Sequence, residues 1–237
     1  MKTVDYILKL IYPQRCVFCG ELLNLNSREA VCEKCGNIDR LEYKTCILCR
    51  RELENKSNPI CGKCMSKLGV FSDGISLYKY KDVRDAILSF KYSGMKRRGI
   101  AFGKIMGHAV KDSNTRLITA DVIIPVPISR ERFKERGYNQ SDVLAKEISK
   151  EIGIKYISDM LIRTKNTVPQ NSLNEIERRM NVFNAFKLNE KYNVEGKKII
   201  IVDDIFTTGS TLNECGKTLK KAGAEELFYL TLAKTEI

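Results

Sequence analysis

Residues 198–211 read Lys198-Ile199-Ile200-Ile201-Val202-Asp203-Asp204-Ile205-Phe206-Thr207-Thr208-Gly209-Ser210-Thr211, and this stretch decides the fold class. Four consecutive aliphatic residues bounded by polar ones form the pattern of a strand buried on both faces of a parallel sheet. Helix-favouring residues follow at Leu212-Asn213-Glu214-Cys215, so residues 207–211 are expected to form the turn that opens a helix. Such a turn aims unpaired backbone N–H groups and the positive helix end at one point, where Thr and Ser hydroxyls add further donors. A phosphate satisfies those donors. The carboxylates of Asp203 and Asp204 lie at the strand end, too close to that point to be phosphate ligands. They suit hydroxyls or Mg²⁺ beside it. A phosphate cradle joined to such an acid pair describes a site for a sugar phosphate.

The run closely resembles the phosphoribosyl diphosphate (PRPP) motif of type I phosphoribosyltransferases: four apolar residues, then Asp-Asp-x-x-Thr-Thr-Gly-Gly/Ser-Thr. All thirteen positions match in type. The resemblance implies that Asp203 and Asp204 hold the ribose 2′- and 3′-hydroxyls. It also implies that the loop of Ile205, Phe206, Thr207, Thr208, Gly209, Ser210 and Thr211 wraps the 5′-phosphate.

At 237 residues the chain is long enough for one large or two modest domains with a real core. It contains no apolar run of about 18 residues, and Lys2, Asp5 and Lys9 interrupt the N-terminal hydrophobics, so neither a spanning helix nor a signal peptide is indicated. A soluble, cytoplasmic protein is expected. The formal charge is +12. Eight thiolates holding two Zn²⁺ would remove four charges and leave about +8. A basic excess of that size fits anionic ligands such as nucleic acid or phosphates, and equally a solvated lysine-rich surface.

Residues 4–12 place Val4, Ile7, Leu8 and Ile11 at helical spacing, and Pro13 ends that pattern. A short helix packed on the neighbouring domain is expected there. Eight of the nine cysteines then form four C-x-x-C pairs, Cys16/Cys19, Cys32/Cys35, Cys46/Cys49 and Cys61/Cys64, separated by 12, 10 and 11 residues. Each pair is a knuckle whose thiolates can meet one tetrahedral Zn²⁺, and two knuckles close a four-cysteine site with no open position for chemistry. Two structural zinc ions are expected. Sequential pairing gives two ribbons in series and interleaved pairing a cross-brace; short loops and similar halves favour the ribbons, but spacing alone does not decide. A segment of this size with few aliphatics needs the metals to fold.

Composition changes near residues 65–72, dividing the chain into residues 1–66 and residues 67–237. A strand is expected at residues 74–80, a helix through Val83, Ala86, Ile87 and Phe90, and a second helix over residues 100–110. His108, the sole histidine, reads as structural or surface. Residues 120–127 form a second aliphatic strand stopped by prolines, followed by a basic loop containing Arg130, Arg132 and Arg136 and then a helix through Leu144, Ala145 and Ile148. In phosphoribosyltransferases the loop after the first core strand meets pyrophosphate, a role this resemblance gives to Arg132 and Arg136. Residues 164–172 are polar and pattern-free, suited to a hood that closes over substrate. A last strand is expected over residues 227–232, and Cys215, without a partner pair, belongs to the core. The order of elements predicts an α/β domain with a mainly parallel sheet and ligands at the strand carboxyl ends.

Pro125-Val126-Pro127, Arg136-Gly137-Tyr138-Asn139-Gln140, Gln170 with Leu173, Arg178, Asn181 and Ala185-Phe186, and the acid-pair run follow the order seen in the ComF family. Phe90-Lys91-Tyr92-x-Gly94 and the cysteine-rich N-terminus resemble that family too. By these motifs the chain is identified as a member of the ComF/ComFC family: a type I phosphoribosyltransferase-like domain behind an N-terminal double zinc ribbon. The resemblance implies a role in natural transformation, with PRPP and Mg²⁺ at the acid pair. It further implies single-stranded DNA, a ComFA-like helicase and other DNA-uptake proteins as partners. Lys96, Arg97 and Arg98, the basic stretch 130–136, and Tyr78, Tyr80, Tyr92 and Tyr138 are candidates for a single-strand track. The alternative is an active phosphoribosyltransferase acting on an unknown acceptor without a DNA role. Thr207 stands where purine-salvage transferases carry an Asp, which argues against oxopurine salvage.

Overall fold

In the computed structural model, which describes residues 13–24, 27, 30–46, 51–92, 96–165 and 175–235, the aliphatic run is the central strand of a five-stranded sheet. Strand β6 (Lys198–Phe206) sends Ile200 and Val202 to one face and Ile199 and Ile201 to the other, and all four are fully buried. Its neighbour β7 (Glu226–Lys234) divides likewise, with Phe228, Leu230 and Leu232 opposite Leu227 and Tyr229. A two-residue side-chain period with both faces covered explains why the sequence shows continuous apolar runs and no alternation.

The sheet order is β1-β7-β6-β2-β3, every pairing parallel, with β1 at Asp73–Lys79, β2 at Val122–Pro125 and β3 at Lys155–Tyr156. From β2 the chain moves outward to β3, then returns to the other side of β2 to lay down β6 and β7. Strand order therefore reverses between β2 and β6, and in open α/β sheets ligands bind outside the carboxyl ends at that switch point.

Within the described residues, helices α1 (Glu33–Gly36) and α2 (Gly62–Leu68) belong to the cysteine-rich segment. Helices α3 (Tyr80–Tyr92), α4 (Lys96–Asp112) and α6 (Gln140–Ile152) cover one sheet face. Between α4 and α6 lies α5 (Arg130–Arg136). The other face takes α8 (Ser210–Lys221) and a small antiparallel pair, β4 (Leu161–Arg163) with β5 (Phe186–Leu188); α7 (Glu175–Val182) precedes β5. Helices α4 and α6 approach closely because Gly103 and Gly107 lie on the contact. A Cβ at either would come within 2.5 Å of the Cβ of Glu147 or Glu151.

The cysteine-rich segment is packed on the sheet. Its Arg40 bridges Tyr78 and its Leu41 N–H donates to Leu77, which covers the open edge of β1. Phe18 packs against Tyr78 and Phe102, 5.4 and 5.6 Å between ring centroids.

The basic stretch after β2, expected as a loop, is the helix α5, because Ser129 caps its first turn and Gly137 ends it in the left-handed region at φ 75°. Helix α8 begins at Ser210, earlier than residues 207–211 suggested, with Gly209 at φ 72° as its cap. The tyrosines do not form one track. Tyr78 is buried in the core and the Tyr138 hydroxyl donates to the Phe90 carbonyl, leaving Tyr92 exposed and Tyr80 half-buried. The expected N-terminal helix, Cys49, Gly94 and most of the expected hood lie outside the described residues.

Candidate functional site

A cavity opens at the switch point. It is walled by the carboxyl end of β6 on one side and by the segment after β2 on the other, with the end of α3 and Arg163 of β4 completing it. From the β6 side, Asp203, Asp204, Ile205, Thr207, Gly209, Ser210 and Thr211 line it. Phe206 and Thr208, expected in the same loop, face elsewhere. The Phe206 ring packs on Tyr229 at 5.0 Å, and the Thr208 hydroxyl bonds the Ser210 hydroxyl at 2.7 Å. Gly209 is needed twice: its φ is 72°, and a Cβ there would lie 2.7 Å from the Phe206 ring. The cap residue of α8, Gly209, offers no side-chain acceptor, the Thr208 hydroxyl accepts from the Ser210 N–H only at 3.4 Å, and the first turn has no acid, so the positive helix end favours an anion.

The two carboxylates are held differently. Asp203 Oδ1 accepts from Ser141 Oγ at 2.8 Å and from the Asp204 N–H at 2.9 Å. Asp204 Oδ2 stands 2.7 Å from Lys91 Nζ, and both side chains are largely shielded. Burial, and then the charge of Asp204, push the Asp203 carboxyl up to about 7, against the pull of Ser141, the Asp204 N–H and Lys91.

Arg132 and Arg136 line the wall opposite the α8 turn, as does Gln140. Arg136 donates to Gln140 Oε1 at 2.9 Å and lies 5.1 Å from the centroid of the Tyr92 ring. Arg136 Nε and Gln140 Nε2 are buried donors without a hydrogen-bond partner among the described residues. Such donors are rare in folded proteins, and here they border a cavity. Arg163 stacks over Phe186 at 5.3 Å; burial and then the nearby charge of Arg132 hold its guanidinium below the ordinary arginine range. The site thus offers an acid pair flanked by an open helix end on one side and guanidinium groups on the other. That arrangement can grip a diol between two anionic groups.

Lys91, Ser141, Gln140 and Arg163 escaped assignment from sequence. Lys91 and Gln140 lie inside motifs quoted above, so a signal existed for them; Arg163 ends a three-residue strand and left none. Lys96, Arg97 and Arg98 open α4 outside the cavity wall, and the Arg98 guanidinium approaches Gly20 of the cysteine-rich segment.

In that segment the sulfurs of Cys16, Cys19, Cys32 and Cys35 lie within 4.8 Å of one another, and so do those of Cys46, Cys61 and Cys64. The pairing is sequential. Cys19 and Cys32 sulfurs are 3.7 Å apart, against about 3.8 Å for the edge of a tetrahedron with ~2.3 Å Zn–S bonds. The halves repeat in detail: bridges Arg15–Leu22 and Thr45–Glu52 close the first knuckle of each. Cys32 and Cys61 cap α1 and α2 and donate their N–H groups to Cys16 and Cys46 sulfur at 3.4 Å. These thiols fit zinc.

Residues 7–65 match the double zinc ribbon domain, and residues 138–235 the phosphoribosyl transferase domain. Competence protein F of Haemophilus influenzae is 30% identical over 224 residues, covering 93% of this chain and 96% of that protein. The chain belongs to the ComF family. Two further relatives agree with the ComF assignment. The DNA utilization protein YhgH of Escherichia coli K12 is 28% identical, covering 95% of this chain and 99% of that protein. Competence protein ComFC of Streptococcus pneumoniae is 24% identical, covering 93% and 100%. The ComF chain is therefore a phosphoribosyltransferase-type α/β fold with a zinc-ribbon N-terminus. Among the described residues no helix is long and apolar enough to cross a membrane.

Proposed function

We propose that this ComF family chain binds PRPP with Mg²⁺ at the switch-point cavity and handles single-stranded DNA in the cytoplasm during DNA uptake. The observation that carries the reading is the convergence of three unlike elements on one cavity. Asp203 and Asp204 suit the ribose diol, the open end of α8 suits the 5′-phosphate, and Arg132, Arg136 and Arg163 suit the diphosphate. Mg²⁺ enters as the counter-ion of the diphosphate, whose charge the three guanidinium groups also answer. In this reading residues 1–66, with two structural zinc ions, and residues 67–237 are the two working parts.

The names of the relatives, competence and DNA utilization proteins, support a role in handling DNA. Lys96, Arg97 and Arg98 support a single-strand contact. They occupy the first turn of α4, which contains no acid, so three cationic side chains are gathered at one helix end where they can meet a phosphate backbone. A ComFA-like helicase is the partner that the resemblance to the ComF family implies.

The alternative reading, transfer of ribose 5-phosphate to an acceptor, uses the same cavity. The bond from C1 to the diphosphate breaks, the diphosphate leaves with that electron pair toward Arg132 and Arg136, and an acceptor forms the new bond at C1. Titration calorimetry with PRPP and Mg²⁺, with pyrophosphate release followed with and without DNA, decides between them. Saturable binding without release supports the first reading, and release supports the second. If Asp203→Asn and Asp204→Asn both bind PRPP like the parent, the site has been misassigned.

A further inference from the structure

The acid pair of the cavity already holds a cation supplied by the chain. Lys91 sits in the last turn of α3, where the negative end of a helix favours a positive side chain. Its Nζ is 2.7 Å from Asp204 Oδ2, with 16% of the lysine side chain and 12% of the aspartate exposed. Both residues line the cavity beside Asp203. A pair this short and shielded is a built part of the site, since removing either partner would leave a charge in a poorly solvated place. Asp203 is served differently: its Oδ1 takes two neutral donors, the Ser141 hydroxyl and the Asp204 N–H. The counter-charge is therefore placed on one of the two carboxylates.

We propose that Lys91 is a positioning residue that fixes and neutralises Asp204, performing with a tethered ammonium what a divalent cation would otherwise do between two adjacent carboxylates. This inference rests on the sugar-phosphate reading of the cavity. Adjacent carboxylates repel each other and require counter-charge to face a ligand together. Lys91 engages Oδ2, which leaves Oδ1 of Asp204 for a sugar hydroxyl. The consequence is a diol subsite whose counter-charge comes from the chain, so that it needs no metal on the acid pair.

Ribose 5-phosphate separates the two roles, because it carries the diol and the 5′-phosphate but no diphosphate. Calorimetry on the full-length, zinc-loaded protein, in magnesium-free buffer and at millimolar Mg²⁺, should give the parent nearly the same affinity in both. Lys91→Met should bind about tenfold or more weakly without Mg²⁺, the effect of stripping a shielded charge of its partner, and recover most of that loss when Mg²⁺ is added. Lys91→Arg should behave like the parent. Lys91→Gln carries the same prediction as Lys91→Met if the latter does not fold. A Mn²⁺ titration followed by electron paramagnetic resonance, without sugar, should show an added bound ion in Lys91→Met relative to the parent. Unchanged affinity in Lys91→Met and Lys91→Gln without Mg²⁺, or tighter binding, would overturn the proposal; the second result would make Lys91 a lock on the diol position. A parent protein that binds neither ribose 5-phosphate nor PRPP would remove the sugar-phosphate reading and this role with it.

Discussion

Replacing Asp203 by Asn should make the protein more stable while removing its ligand. Burial of the carboxylate and the charge of Asp204 raise Asp203 from an ordinary value of 3.8 to about 7. A group raised in this way binds more protons in the folded than in the unfolded chain between those two values. Stability therefore falls as pH rises through that window, and the loss is complete above it. At about 1.4 kcal/mol per pH unit, the cost reaches ~4 kcal/mol near pH 8, an upper bound because part of the side chain meets solvent. Asparagine keeps an oxygen to accept from Ser141 Oγ and the Asp204 N–H but carries no charge, so it retains both hydrogen bonds and sheds the desolvation. The expected gain for Asp203→Asn at pH 8 is ~1–3 kcal/mol, with ~1–2 kcal/mol of it developing between pH 5.5 and 8. Urea unfolding of parent and variant across that range measures it, and the subtraction cancels the zinc thiols, which are the same in both. PRPP titration of the same samples should show binding lost in the variant. A stability difference that is flat from pH 5.5 to 8, or a variant less stable than the parent at pH 8, would refute the reasoning.

Two other predictions concern the metal and the basic cluster. Elemental analysis should find about two zinc ions per chain, and Cys16→Ser or Cys46→Ser should lower that number and loosen the ribbon half first, because metal binding and folding are coupled there; protein purified in reductant without zinc but with intact ribbons would exclude it. Affinity for single-stranded DNA should fall with salt at a log–log slope of about −0.7 per phosphate contact, so joint replacement of Lys96, Arg97 and Arg98 by Ala should flatten the slope by up to about 2. An unchanged slope would move the nucleic-acid contact away from the start of α4.

How far the sequence can be read depends on whether a feature is local. The β6 run announces itself because a strand covered on both faces must be apolar at every position, and the turn after it because Gly209 and the hydroxyl residues sit at fixed offsets from the acids. Cysteine spacing points to two four-thiol sites in the same way, but their sequential pairing is visible only in the folded chain, which groups Cys16, Cys19, Cys32 and Cys35 apart from Cys46, Cys61 and Cys64. The rest of the site is assembled from a distance. Lys91 reaches Asp204 across more than a hundred residues, and Ser141 reaches Asp203 across 62. Periodicity is silent about such pairs. Arg163 is hidden because β4 has three residues, too few to show a period. The helix α5 reads as a loop because its charged residues bury nothing, so no apolar stripe marks it; its caps, Ser129 and Gly137, are the readable sign.

The cysteine-rich half and the turn after β6 are joined by contact as well as by chain. Asn58, just before the Cys61 knuckle, is buried and donates to the Gly74 carbonyl at 3.0 Å and toward the Tyr229 hydroxyl at 3.3 Å. Its neighbour Asn55 donates to Asp73 at 2.8 Å, and Asp73 in turn accepts from Thr115 and the Arg116 N–H. Tyr229 can lie across β1 because Gly74 has no side chain: a Cβ there would fall 2.2 Å from the ring. On its other side the Tyr229 ring meets Phe206, whose own ring fills the space under Gly209 at the mouth of α8. The second ribbon therefore meets Tyr229, and Tyr229 packs on the Phe206 ring that lies under Gly209 in the turn after β6. Buried polar anchors such as Asn58 are expensive to leave unpaired, so a ribbon that loses its metal and withdraws Asn58 removes a hydrogen bond from Tyr229 and uncovers the edge of β1 together. A zinc held by the Cys46, Cys61 and Cys64 sulfurs would in this way brace the sheet beside the cavity without doing chemistry itself.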